Sequence, residues 1–102
     1  MARMIVLYTT PPDLAAFDRH YTEVHIPLVH KMPGLKKFEL SQGAIATPFG
    51  PSSFHLIATL HFADPAAMHA AMGSPEGRAA GADAQSFIQP ADQLLLFDTR
   101  EA

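Results

Sequence analysis

Four short strand-like runs, with a helical stripe after the first and a capped helix pair after the third, predict an α+β domain. The order is that of the ferredoxin-like βαββαβ fold, an antiparallel four-stranded sheet with its helices on one face. Three observations carry the expectation: the switch between strand and helix apolar periods, the Pro/Gly punctuation that separates them, and a chain of 102 residues, enough for one core. Hydrophobic residues make up 48% against 17% charged. A domain of this size buries only roughly 60 to 65% of its unfolded surface. The apolar surplus therefore asks for a second copy of the chain to cover the sheet face that has no helices.

The formal net charge is −3, and the seven Lys and Arg residues are scattered, with only Lys36 and Lys37 adjacent. No nucleic-acid or membrane-surface footprint is expected from that pattern. The absence of cysteine excludes disulfides, thiol nucleophiles and thiolate metal sites. Met4 to Tyr8 is too short an apolar run for a signal peptide or a spanning helix, and it is expected to be a strand of a cytoplasmic protein.

Met4 to Thr9 is apolar and β-branched throughout, as in a strand buried on both faces. Thr10-Pro11-Pro12-Asp13 has the form of a capping box and opens a helix expected from about Asp13 towards His30. Leu14, Phe17, Tyr21, Val24, Leu28 and Met32 recur on one stripe of it. Pro27 removes the hydrogen bond to the Glu23 carbonyl and predicts a kink near His25; Pro33-Gly34 ends the segment. Leu35 to Ala46 alternates loosely as a second strand, and Thr47 to Ser53 reads as a mobile loop. Phe54 to Phe62 alternates cleanly. Phe54, Leu56, Ala58, Leu60 and Phe62 are expected under the helices, and His55, Ile57, Thr59 and His61 at a dimer interface. Asp64-Pro65 and Ser74-Pro75 cap two successive helices with Gly73 between them, the second weakened by Gly77 and Gly81. Leu94 to Phe97 is the last strand.

Phe17-x-x-His20-Tyr21-x-x-Val24-His25-Ile26-Pro27-Leu28, continued by Lys31-Met32-Pro33-Gly34-Leu35-x-x-Phe38, resembles the EthD family of dimeric α/β-barrel proteins. Ser74-Pro75-Glu76-Gly77 and Asp83-x-x-x-Phe87 are similar to that family's second helical region. The resemblance spans nearly the whole chain. It implies a ferredoxin-like homodimer with sheets packed face to face, serving small-molecule catabolism or biosynthesis. The family takes its name from bacterial ether degradation, and its relatives are often labelled reductases. Wider barrel relatives include cofactor-free isomerases, polyketide cyclases and haem-degrading or quinol-forming monooxygenases. Reductase chemistry finds no support in the residues: there is no Gly-x-Gly-x-x-Gly turn and no cysteine pair.

His25 is the expected catalytic residue. On the helical projection it lies about 20° from the line through Leu14 and Met32, on the apolar stripe. Burial there keeps an imidazole neutral at pH 7, a general base towards an acidic C–H or phenol. Its alternative role is structural, donating to a backbone carbonyl and steadying the kink. Tyr8, Tyr21, Phe38 and Phe87 are the expected substrate-binding residues, the two tyrosines having core packing as their alternative. His55 and His61 stand about 20 Å apart on one strand. They are expected to hydrogen-bond across the interface, the reverse facing placing one of them beside His25. His20, His25 and His30 rotate by about 140° at each step of five around an α-helix and are expected to diverge. No metal is expected without ligand-spaced clusters. The expected function is a cofactor-independent enzyme acting on a small hydrophobic, aromatic or polyketide-like substrate. The alternatives are a carrier for a hydrophobic intermediate and a haem or quinol-type monooxygenase with His25 as haem ligand. The expected partners are a twin chain and that small ligand.

Overall fold

The computed structural model describes all of residues 1–102. Its elements are β1 (Ala2–Thr9), α1 (Leu14–His20), a π-helical turn (Tyr21–His25), α2 (Ile26–His30), β2 (Lys37–Leu40), β3 (Ala46–Thr47), β4 (Gly50–Pro51), β5 (Phe54–Phe62), α3 (Pro65–Gly73), α4 (Pro75–Gln85) and β6 (Gln93–Asp98). The four main strands form one antiparallel sheet in the order β2-β5-β1-β6, the ferredoxin-like arrangement.

Strand β1 alternates. Ala2, Met4, Val6 and Tyr8 are buried under the helices, and Arg3, Ile5, Leu7 and Thr9 are half-buried on the other side. A run this apolar predicts burial on both faces, but within one chain the helices cover a single side. On the open side, Ile5 stands between Thr59 of β5 and Leu95 of β6. Edge strand β6 is exposed along its whole length.

The first helix begins three positions later than a Thr10 cap would place it. Asp13 is the cap, its Oδ1 accepting the Ala16 N–H at 3.0 Å. Pro12 disfavours helical geometry in Pro11, so a helix cannot start between them. The expected kink is a π turn in which the Ile26 N–H donates to the Tyr21 carbonyl, five residues back. Pro27 opens α2 immediately after it, and widening the turn before a proline relieves its clash with the carbonyl of residue 23. The wider turn also rephases the helix. The buried line runs Phe17, Tyr21, His25, Val29 and Met32, while Leu14 and Val24, both expected on the stripe, are exposed at 45% and 41%.

Strand β2 is shorter than the expected 35–46, because Ser41 Oγ takes the Ile57 N–H at 2.9 Å and ends the pairing. The expected loop folds into the small β3–β4 ribbon, turned at Pro48 and Phe49, with Gly50 at φ 133 opening β4. Asp64 and Ser74 cap α3 and α4 as predicted. Gly77 is more than a weak point. A Cβ there would lie 2.0 Å from the Ala71 carbonyl oxygen, so the tight α3–α4 corner requires glycine.

Strand β5 faces as expected from Leu56 to Phe62 but not at Phe54 and His55: Phe54, expected under the helices, pairs with Thr9 and so takes the open face. Tyr8 pairs with Leu56 and Thr9 with Phe54, leaving His55 unmatched in a β-bulge. Two buried apolar clusters fill the space between sheet and helices: one on Met4, Met32, Leu60, Phe62 and Met68, the other on Val6, Tyr8, Phe17, Tyr21 and Ala58. No helix is long and apolar enough to cross a membrane.

Candidate functional site

A cavity of about 250 Å³ opens where the two clusters meet. Met4, Val6, Ala58 and Leu60 form its sheet floor, Val29 and Met32 one wall, and Ala80, Gly81 and Ala84 of α4 another. Its polar lining is confined to Tyr8, Tyr21, His25 and Arg78. The small α4 residues leave the space: a Cβ added at Gly81 would meet nothing within 4 Å.

His25 is 5% exposed. Its Nδ1 lies 2.9 Å from Asp83 Oδ2, and His20 Nε2 lies 2.8 Å from Asp83 Oδ1, so one carboxylate holds two imidazoles. The two histidines converge instead of diverging. Residues five apart separate by about 140° on an α-helix but stack along the i→i+5 ladder of a π turn. With Nδ1–H donating to Asp83, the neutral ring presents Nε2 as an acceptor, and Nε2 keeps accessible surface without any partner in the chain.

Two rings fix the plane of His25. Tyr21 lies 5.0 Å away, Phe87 meets it edge-on at 5.0 Å, and Phe87 also packs on His20 at 5.6 Å. Asp83 and Phe87 are four residues apart, so the end of α4 and the turn after it deliver the carboxylate and the backing ring. Burial holds the His25 pKa below the ordinary 6.5 although the Asp83 hydrogen bond pulls it up. Burial also pushes the Tyr8 phenol up to about 12, against a hydrogen bond with Tyr21 that lowers it. Tyr21 is raised further, chiefly by burial. Both phenols therefore stay protonated donors at neutral pH.

The cavity edge is tied down by Asp92, whose Oδ1 accepts from Thr9 N–H and Oγ1 at 2.7 Å and whose Oδ2 accepts from Gln89 N–H at 2.9 Å. Such a site can take a proton at Nε2, stabilise the imidazolium through Asp83, and donate from a phenol to a developing oxyanion.

Of the residues expected to bind substrate, Tyr8 and Tyr21 line the cavity. Phe87 does not border it and holds the histidines in place instead. Phe38 packs between the clusters with its ring 5.5 Å from His30. His61 lies on the open sheet face, bound to Glu39 at 2.6 Å. His55 does not share that face: the bulge turns it towards α1, where Nε2 meets Asp18 Oδ1 at 2.9 Å and its ring packs on Phe17. Asp83 and Arg78 escape a reading by period and spacing. The available signals were Asp83 four positions before Phe87 and a lone arginine in an Ala/Gly helix.

An EthD domain matches residues 10–91. An uncharacterized 11.0 kDa protein in the thcB-thcC intergenic region of Rhodococcus erythropolis is 36% identical over 98 residues, 96% of this chain and 94% of that protein. Among solved structures, an ethyl tert-butyl ether d (ethd) family protein of Bacillus halodurans C-125 superposes with a TM-score of 0.89 at 34% identity, over 98% of this chain and 99% of that one. Two others share the fold at low identity. The cofactor-independent oxygenase SnoaB of Streptomyces nogalater, as its N63A mutant, has a TM-score of 0.70 at 14% identity over 99% of this chain and 94% of that one. A dimeric ferredoxin-like protein of unknown function from Thermobifida fusca YX has 0.70 at 16%, over 96% and 90%.

Proposed function

The chain belongs to the EthD family, and on that premise we propose that it is a cofactor-independent enzyme that moves a proton on a small hydrophobic substrate. His25 is the base. The observation that supports this reading is the Asp83 clamp on Nδ1, which leaves Nε2 free in a cavity otherwise lined almost wholly by apolar side chains. A substrate with an acidic C–H beside a carbonyl, or an acidic phenol, loses its proton to Nε2. The resulting enolate or phenolate oxygen accepts from the Tyr8 hydroxyl, which itself accepts from Tyr21, and the imidazolium is stabilised by Asp83. Return of the same proton to a different carbon completes an isomerisation with no net oxidation.

The working unit is a homodimer joined through the open sheet faces. The half-buried Ile5, Leu7 and Ile57 support this reading, as does the dimeric state of a neighbour with the same fold.

Benzoylacetone carries one ring and an acidic methylene, and its C–H to C–D exchange in heavy water is followed by NMR. The chain is expected to accelerate that exchange, and His25→Gln to lower the acceleration by about 10²- to 10⁴-fold while affinity stays within about twofold. Binding without acceleration would mark a carrier. Acceleration indifferent to His25→Gln would remove the base from the scheme.

A further inference from the structure

We propose that Arg78 anchors an anionic group of the substrate, so that the molecule turned over is an apolar acid with its carboxylate at one end and the reacting carbon at the other. This rests on reading the cavity as the substrate site. Arg78 supplies the one permanent charge in the lining, since His25 is held neutral by burial and the phenols are protonated. Its guanidinium makes no ion pair and no side-chain hydrogen bond within the chain. The Asp83 carboxylate, on the same helix, is committed to His20 and His25. Arg78 is solvent-exposed as well as lining the hollow, and with no internal counter-ion its planar fork is free to bind a carboxylate in bidentate fashion.

The spacing sets the shape of the ligand. Arg78 and Asp83 are five residues apart on α4, on the order of 7 Å along a helix axis. Arg78 and His25 both line the hollow, one from α4 and the other from the π turn, so one ligand can reach charge and base together. Gly81 and Ala84 line its α4 wall, and the space over Gly81 is open. An apolar cavity of roughly 150 Å³ already admits benzene. The volume of about 250 Å³ here leaves space for a substituted or fused ring between the two ends of such a ligand.

The test uses two probes that differ in charge alone, naphthoate and naphthamide, titrated by calorimetry against the intact chain. Naphthoate is expected to bind about tenfold more tightly, a preference that R78Q erases and R78K keeps while naphthamide affinity stays the same. Gly81→Leu, which fills the hollow, is expected to abolish binding of both. Equal affinity for the two probes, a preference that survives R78Q, binding that survives Gly81→Leu, or no binding of either probe would each overturn the proposal. His25→Gln is expected to leave the preference intact, so loss of exchange activity in that variant and loss of charge preference in R78Q report on separate claims.

Discussion

Asp83 gives the buried His25 ring a fixed tautomer and a direction. Without it, the ring has no fixed tautomer, and in hydrolytic triads the same loss of orientation costs about 10⁴ in rate. Asp83→Asn is therefore expected to lower benzoylacetone exchange by about 10²-fold or more. Because Asp83 raises the His25 pKa against burial, the acid limb of the pH–rate profile is expected to move to lower pH in that variant. An unmoved limb would show that the carboxylate does not govern this titration. Stability follows the same group. His25 binds its proton less readily in the folded chain than at its ordinary 6.5, so between those two pKa values the unfolded chain carries more protons. The contribution is complete above pH 6.5 and is lost as pH falls through the folded-state pKa. Urea titrations are expected to show wild type losing stability below pH 6.5 relative to His25→Gln; parallel curves would contradict this.

At the scale of elements, two glycines in α4 have opposite meanings. Gly77 sits against backbone: an added Cβ would be 2.0 Å from the Ala71 oxygen and 2.8 Å from that of Met72. Gly77→Ala is expected to destabilise by about 1–3 kcal/mol, the range for overpacking against atoms that cannot yield. Gly81 has open space above it, and Gly81→Ala is expected to stabilise by about 0.5–1 kcal/mol through helix propensity. Chemical denaturation measures both, and shifts of the same sign would show that the α3–α4 corner is not the constraint. The π turn is the second such device. It brings His20 and His25 to one carboxylate and removes Val24 from the core.

The whole molecule is defined by the face its helices do not cover. Ile5 lies centrally in the sheet, with Thr59 and Leu95 beside it, and Leu95 and Phe97 are 44% and 40% exposed. A small domain cannot leave so much apolar surface in water without a partner. Sedimentation at micromolar concentration is expected to give a dimer for wild type and a monomer of lower Tm for Ile5→Lys, since a lysine cannot shed its hydration inside a sheet-to-sheet interface. A monomeric wild type, or a dimeric Ile5→Lys, would refute the face-to-face assembly.

What the sequence determined by itself is local or compositional. Asp64, Ser74 and the prolines beside them set the later helix starts, alternation set the Ala58-Leu60-Phe62 face of β5, and the apolar surplus pointed to a second chain. Each depends on neighbours within a turn or a strand pair, where propensity and period act directly. The chemistry was legible only in part. His25 stood out by its place on the stripe, whereas its carboxylate lies 58 residues away and is shared with His20 across 63. The bulge that turns His55 towards α1 and the π turn that rephases the first helix were decided by tertiary structure. Both move a side chain by a shift of one residue in register. Packing between layers selects that shift, and no local period encodes it.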